Sequence, residues 1–344
     1  MLHNWTQAQR NNLRLAVAVT ASVLVAFMVG WPGSFIFPVL VCSFLSSGGP
    51  AIPFDKGVAL LVIVAILLFI GQVITEFFLS HPVVCLLLVS WLLLMGQYWA
   101  IRGGNALIIV ILFIAILVMP MLGLEDMGLV GMFGGALFFS VTMTLLFCWL
   151  AHGIIHDPTL EATAKAAPPI PDKSESFRQA LIKTLLVMPL LMIFFLLQLT
   201  SDLLVLVFVA LLIQMPSAAI GIKGAIGTLA ANTLGGLAAI VCYQLLVMAP
   251  SPVMLGLLIF GVSLLFGQKI YSDSPTASLY GTGLNTVIVL LGATTSTFGD
   301  EATAKMWVRL AQIGFACIYI VAALSLAADW LQPKEQKSQT QATA

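Results

Sequence analysis

Long apolar runs separated by short polar loops limit what this chain can fold into. A helix must cross roughly 30 Å of hydrocarbon to span a bilayer, and twelve candidate runs can be placed along the 344 residues. Backbone groups in lipid have to be hydrogen-bonded within the segment, so these runs predict α-helices. The runs lie at 13–31, 35–45, 57–79, 82–99, 106–121, 129–151, 177–199, 203–215, 225–247, 253–267, 279–291 and 304–331.

Composition agrees with lipid as the main solvent. The chain is 60% hydrophobic and 8% charged, with a mean hydropathy of +1.09, whereas soluble domains carry roughly 25% charged residues. The formal net charge is zero, and a nucleic-acid partner would call for a basic patch. The sequence therefore predicts an all-α integral membrane protein of about twelve transmembrane helices.

Two short sequence matches indicate an internal duplication. The run Asp55-Lys56-Gly57-Val58-Ala59 resembles Ile222-Lys223-Gly224-Ala225-Ile226, and Leu93-Leu94-Met95-Gly96-Gln97 resembles Leu264-Leu265-Phe266-Gly267-Gln268. With six predicted helices on each side, the halves are predicted to be parallel repeats, as in several transporter folds. The predicted organisation is a first repeat at 1–151, a proline-containing cytoplasmic linker at 152–176, a second repeat at 177–331 and a disordered tail at 332–344.

The distribution of cations predicts the orientation. Cytoplasmic loops of membrane proteins carry an excess of Lys and Arg. If both termini are cytoplasmic, twelve of the 14 cations fall inside, and only Lys305 and Arg309 fall outside. The twelve are Arg10, Arg14, Lys56, Arg102, Lys165, Lys173, Arg178, Lys183, Lys223, Lys269, Lys334 and Lys337. This pattern predicts a multi-pass protein with both termini in the cytoplasm.

The second predicted helix of each half is unusually short. The first carries Pro38 and runs into Ser46 and Ser47, and the second ends at Gln214 before a proline. Irregular backbone at membrane depth is tolerated where protein or water surrounds it. These residues are therefore predicted to line an internal, substrate-binding cavity, with broken packing helices as the alternative.

Lys56 and Lys223 follow these short helices, each one residue before a glycine that opens a long apolar run. A helix start already carries about half a positive charge, so an added ammonium there favours an anion. We expect both lysines to contact an anionic substrate. The alternative is that they only fix topology at the cytoplasmic rim.

Polar residues inside the apolar runs are further candidates for lining a substrate path. Gln97 and Gln268 are selected because they match between the halves, and Asn232 and Thr233 because they precede a pair of glycines. Interhelical hydrogen bonding is the alternative role for such residues.

Several chemistries are not supported by the sequence. The five cysteines lie singly in apolar runs, and a GxxxxGK[ST] phosphate-binding loop is absent. Nucleophiles, paired carboxylates or metal ligands do not converge at one membrane depth, so neither an enzyme nor a cofactor is expected. All acidic and basic residues are predicted to lie away from the middle of the spans, so proton coupling is not indicated.

One stretch resembles a known family. The runs Arg14-Leu15-Ala16-Val17-Ala18, Trp31-Pro32, Phe37-Pro38-Val39-Leu40 and Ser43 to Pro50, followed by Lys56-Gly57, resemble the first helices of the fusaric acid resistance superfamily, which includes the bacterial aromatic acid exporters. The six-plus-six layout is similar too, but the large cytoplasmic domains of the longer members are missing, so the chain is similar to a short branch.

The resemblance implies an inner-membrane exporter of small aromatic or carboxylic anions, driven by the proton gradient and working with a periplasmic membrane fusion protein. Plant malate-type anion channels, which resemble dimers of one such half, provide the alternative of a passive anion channel. A non-transporting membrane scaffold is the third possibility, in which the lysines only set topology.

Overall fold

The computed structural model describes residues 5–31, 33–155, 172–197, 222–274 and 276–295, together with four positions near the C-terminus, namely Phe315, Ile318, Tyr319 and Ala322. This part of the chain is helical and contains no strand. Its ten helices are α1 (Gln7–Val29), α2 (Ile36–Ser46), α3 (Phe54–Phe78), α4 (Pro82–Ile101), α5 (Ala106–Glu125), α6 (Met127–Ile154), α7 (Lys173–Leu197), α8 (Ile222–Met248), α9 (Pro252–Ile270) and α10 (Ala277–Thr295).

The membrane assignment is confirmed at this coarse level. Eight of these helices, all except α2 and α10, are long and apolar enough to cross a bilayer. The protein is therefore a multi-pass helical membrane protein. The predicted spans at 203–215 and 304–331 fall almost wholly outside the described residues, as do most of the linker and the tail, so the total of twelve stays a prediction.

Local sequence signals explain where the helices begin. α1 starts six residues before the predicted span because Thr6 and Gln9 form a capping box, with the Thr6 hydroxyl accepting from the Gln9 amide at 3.3 Å and the Gln9 side chain accepting from the Thr6 amide at 3.0 Å. α4 and α9 each begin at a proline, Pro82 and Pro252. Proline suits a first helical position because its missing N–H has no partner there anyway.

The described residues belong to two compact units. Unit 1 takes its residues from 1–61, 135–165 and 230–311, and unit 2 from 62–134, 166–229 and 312–344. Each unit therefore contains residues from both predicted sequence halves. The division of the chain at 152–176 stays a prediction.

Unit 1 is organised around α1. This helix packs against α2, α9 and α10, and α10 also packs against α2 and α9. In unit 2, α7 packs against α4 and α5, which also pack against each other. If the halves are repeats, α7 matches α1, α4 matches α9 and α5 matches α10. Within each unit, the first helix of one half then packs on the fourth and fifth helices of the other half.

Candidate functional site

The buried faces of α1 and α7 match position by position. Asn11 and Gln179 are both buried, as are Ala26 and Phe194, and each pair is separated by 168 residues. In all, eight buried residues of α1 lie 168 positions before a buried residue of α7. These residues of α1 are at positions 11, 12, 15, 16, 19, 22, 23 and 26. The two helices therefore present the same face to their neighbours.

A similar match joins α4 to α9. All five buried residues of α4 lie 170 residues before a buried residue of α9, from Cys85 with Leu255 to Gln97 with Gly267. Pro82 and Pro252, the first residues of these helices, have the same separation. Burial therefore matches Gln97 with Gly267. Gln268, which the sequence match paired with Gln97, is exposed.

The α1–α9 contact in unit 1 is close and hydrogen-bonded. Asn12 Nδ2 donates to the Leu264 carbonyl at 3.2 Å, and a Cβ at Gly267 would overlap the Asn12 side chain. Further along, Leu24 lies beside Gly256. From Asn12 to Leu24 the residue numbers of α1 rise, whereas those of the contacting residues of α9 fall, so the two helices run antiparallel. Small residues of α9 lie against larger ones of α1.

Arg14 lies near the beginning of α1 and is buried, with 2% of its surface exposed. Its Nη1 donates to Asn11 Oδ1 at 3.0 Å, and its Nη2 donates to the carbonyl of Ile155, just after α6, at 2.7 Å. Hydrogen bonds from a charged donor are among the stronger ones in proteins. The guanidinium therefore ties the start of α1 to the end of α6.

The segment after α2 is held at the same end of unit 1. Trp149 Nε1 donates to the Ile52 carbonyl at 2.8 Å, and a ring nitrogen of His152 lies 3.3 Å from the Gly49 carbonyl oxygen. Tyr271, directly after α9, donates its hydroxyl to the Leu45 carbonyl at 2.6 Å. Burial raises the pKa of Tyr271, which keeps the phenol neutral and able to donate.

In unit 2, Lys183 is a buried cation, with 4% of its surface exposed, and it matches Leu15 of α1 rather than Arg14. It is the eleventh of the 25 residues of α7. The sequence predicts that all ionisable residues lie away from the middle of the spans, and this stays a prediction for α7, whose first turns are polar. The helix begins at Lys173 and extends the apolar run at its N-terminal end, which brings Lys183 close to the middle of the helix.

Gln97 of α4 is completely buried at 0% exposure, and neither its amide nitrogen nor its amide oxygen has a hydrogen-bond partner. On α7, Thr184 Oγ1 and Gln179 Oε1 are also buried and unpartnered. Buried polar groups in proteins are nearly always hydrogen-bonded to protein or to ordered water. Unit 2 thus contains several unsatisfied polar atoms on two helices that pack together.

A cavity of about 240 Å³ lies between α1, α2 and α10 in unit 1. Its lining residues are mostly apolar, apart from Ser34, and they are Val23, Ala26, Phe27, Gly30, Ser34, Phe35, Pro38, Ile288 and Gly292. An apolar cavity of about 150 Å³ is known to hold benzene. The cavity therefore has room for one aromatic ring with a small substituent.

Among the predicted site residues near the first short helix, Pro38 lines this cavity. The hydroxyls of Ser46 and Ser47 donate to the carbonyls of Ser43 and Phe44, at 3.0 and 2.7 Å. These two hydroxyls are therefore engaged by the turns just before them. Gln214 lies outside the described residues.

Lys56 is exposed near the beginning of α3, in unit 1, and Lys223 occupies the second position of α8, in unit 2. The glycine after Lys56 has a packing role, because a Cβ at Gly57 would overlap the ring of Trp149. This contact explains the glycine of the pair without a ligand.

Asn232 is buried on α8 and accepts a hydrogen bond from Thr286 of α10 at 2.6 Å, whereas Thr233 is exposed. The adjacent helix contact is very close, since a Cβ at Gly235 would overlap the Gly283 carbonyl oxygen. Asn232 thus makes the interhelical bond that was the alternative to substrate lining.

Sequence reasoning missed the burial of Arg14 and Lys183, because both were counted only as cytoplasmic cations. The signal available was their position, seven or more residues inside their helices. Among the described residues, no group of three His, Cys, Asp or Glu could hold a metal. Four cysteines in this part of the chain, Cys42, Cys85, Cys148 and Cys242, are buried and free.

Comparison with known proteins gives one match. Residues 11–151 match a family described as proteins of unknown function (DUF2955). No curated protein and no solved structure matches the chain. The matched segment covers about two fifths of the chain and ends where the first predicted repeat ends.

The cavity allows a direct test on α1. We expect Ala26→Leu to stabilise the protein by about 1 kcal/mol, because the added methylenes fill empty apolar space. The matched control is Ala18→Leu, since Ala18 is buried on the same helix but does not line the cavity. Overpacking should cost that variant about 1–3 kcal/mol. Thermal unfolding in detergent measures both, and equal destabilisation of the two would show that the cavity cannot accept a side chain.

Proposed function

We propose that the protein is a bacterial inner-membrane transporter that exports small organic anions, aromatic or carboxylic, through a fold of two parallel six-helix repeats. Both termini lie in the cytoplasm. The matched buried faces of α1 and α7, and of α4 and α9, support the repeat. The family match ending at residue 151 supports its boundary.

One observation carries the proposal: the first helix of each predicted half buries a cation, Arg14 on α1 and Lys183 on α7. A basic residue at the centre of a membrane helix costs about 2.5–3.5 kcal/mol on insertion scales. Ionisable groups retained inside membrane segments typically mark substrate or ion pathways. Two such cations favour cargo of negative charge.

The other parts of the proposed path have separate roles. Lys56 and Lys223 each attract the anion on the cytoplasmic side, and each stands at the start of a long helix. The cavity beside Pro38 accepts the ring of an aromatic acid, since its lining residues are mostly apolar and its volume is about 240 Å³. Rocking of one repeat against the other releases the anion on the periplasmic side.

The resemblance to the fusaric acid resistance superfamily extends the proposal. On this resemblance we expect a proton gradient as the energy source, a periplasmic membrane fusion protein as the partner, and no enzymatic activity. Burial of Lys183 near the middle of α7 supports coupling to an ion gradient, because such groups are used in proton-driven carriers.

The test is uptake of labelled benzoate into energised inverted membrane vesicles, with and without an uncoupler. We expect uncoupler-sensitive uptake. In the double variant Lys56→Ala, Lys223→Ala, the half-saturating benzoate concentration should rise tenfold to thirtyfold, since each ammonium contributes about 1 kcal/mol in a wet vestibule.

The matched control removes two other cations of the same predicted side, in Arg102→Ala, Lys269→Ala, and should leave uptake unchanged. An equal loss of benzoate uptake in both double variants would show that Lys56 and Lys223 only set the topology. Flux that resists the uncoupler would identify a passive anion channel. Absence of uptake, together with protection of cysteines introduced at Ser46, Ser47 or Gln214, would favour the membrane scaffold.

A further inference from the structure

The helix pairs α1–α9 and α4–α7 bury matching positions, but some of these positions carry different kinds of residue. In unit 1, the register brings Leu15 against Gly267, and both groups are apolar or small. The matching positions of unit 2 are Lys183 and Gln97. A leucine–glycine contact in one unit is thus replaced by a lysine and a glutamine in the other.

A contact within unit 2 agrees with this register if α4 and α7 run antiparallel, as α9 and α1 do. Ser90 Oγ of α4 lies 3.1 Å from Met188 Sδ of α7. Seven residues make two helical turns, so a residue seven positions away lies on nearly the same face. Moving seven residues forward on α4 leads to Gln97, and moving seven back on the antiparallel α7 leads to Leu181. Gln97 therefore lies opposite the stretch 180–184.

That stretch carries the buried polar groups of α7. Lys183 and Thr184 are both buried, and Thr184 Oγ1 has no hydrogen-bond partner. Gln97 has both amide atoms unpartnered at 0% exposure. Leaving a polar group buried and unsatisfied costs about 1–3 kcal/mol. Gln97 and Thr184 thus leave three unsatisfied atoms beside the stretch that carries Lys183, and a bound group that supplies hydrogen bonds would satisfy them. The α1–α9 pair has unsatisfied atoms too, on Asn12 and Ser263, but Leu15 takes the place of the lysine there.

We propose that unit 2 holds an anion-binding site between α4 and α7, in which the Lys183 ammonium, the Gln97 amide and the Thr184 hydroxyl bind a small carboxylate. The ammonium supplies charge, the amide N–H and the hydroxyl donate to the carboxylate oxygens, and burial strengthens each contact. Unit 1 has no such site, because Leu15 and Gly267 occupy the matching positions. This inference rests on the proposed function and makes the two units unequal, because a lysine and a glutamine stand at these matched positions in unit 2 alone.

The test uses the purified full chain in detergent and follows thermal unfolding with increasing sodium benzoate, at ionic strength held constant with sodium chloride. We expect benzoate to raise the unfolding temperature of the native protein, since a ligand that binds only the folded state stabilises it. In Lys183→Leu and in Gln97→Leu, the benzoate concentration for half of this rise should increase at least tenfold.

Gln268→Leu is the matched control, because Gln268 is an exposed glutamine on the repeat-related helix α9. It should keep the native response to benzoate. An unchanged benzoate response in Lys183→Leu, whatever its unfolding temperature without benzoate, would assign Lys183 a structural role and overturn the site.

The outcomes separate this inference from the proposed function. If native protein shows no benzoate-dependent rise, or if the rise survives in both variants, the site is wrong even where vesicles transport benzoate. If the rise is present and lost in the variants while vesicles show no uptake, the site stands and the transporter proposal fails. Chloride giving the same rise as benzoate would identify an inorganic anion site and overturn the carboxylate assignment.

Discussion

Arg14→Leu should lower the free energy of unfolding by about 3 kcal/mol, since two hydrogen bonds from a charged donor are lost and a buried carbonyl is left unsatisfied. The lost partners are Asn11 Oδ1 and the Ile155 carbonyl, at 3.0 and 2.7 Å. Thermal unfolding in detergent, at a fixed heating rate, measures the change. Arg14→Lys should recover part of it, because a single ammonium cannot reproduce the fork of the guanidinium.

The control for Arg14 is Arg102→Leu. Arg102 lies just after α4 and bonds only its own helix's Tyr98, at 3.0 Å, while partly exposed. Loss of this local contact should change stability by no more than about 0.5 kcal/mol. If Arg14→Leu unfolds like the native protein yet abolishes benzoate uptake in vesicles, Arg14 contacts cargo rather than tying α1 to the end of α6.

The helices themselves were largely predictable from sequence. The short second helix was expected at 35–45 and is Ile36–Ser46, and the fourth was expected at 82–99 and is Pro82–Ile101. Proline and glycine residues near the ends of these runs determine the helix boundaries locally. The starts of α1 and α7 were placed too late, because their first turns are polar. Polar residues indicate the end of the lipid phase, but they do not end a helix.

The helix pairing could not be predicted from the apolar pattern. A helix that is apolar on nearly every side does not show which face meets protein and which meets lipid. The structure distinguishes the two faces. On α1, Leu15 is buried whereas Val17, two residues further along, is exposed, although both are apolar. The sequence match of Gln97 with Gln268 differs from the burial match by one residue, and a one-residue shift moves a side chain from the protein face to the lipid or water face.

The candidate site was only partly accessible to sequence reasoning. Pro38 was predicted through the shortness of its helix, and it lines the cavity. Lys56 was predicted through the repeat but is exposed, whereas the buried Lys183 was treated as a topology signal. Counting charges by loop cannot separate a cation at the rim from one two turns deeper, because both lie on the same side in a topology diagram.

Gly235→Leu should be the most damaging of the glycine changes in unit 1, with an expected loss of about 3 kcal/mol or more of stability. A Cβ at Gly235 would overlap the Gly283 carbonyl oxygen, a backbone atom that cannot rotate away as a side chain can. Overpacking that forces backbone to shift typically costs 1–3 kcal/mol, and a bulky side chain costs more. Separation of α8 from α10 would also stretch the bond from Thr286 to Asn232.

Gly261→Leu is the control for this effect. Gly261 lies inside α9, and a Cβ there would meet no atom within 4 Å. Replacing a helical glycine in open space should stabilise the helix by up to about 1 kcal/mol. Opposite signs in thermal unfolding would establish that a close backbone contact, rather than a general intolerance of side chains, requires glycine at position 235. A loss of benzoate uptake in Gly235→Ala at unchanged stability would instead place the α8–α10 contact on the transport path.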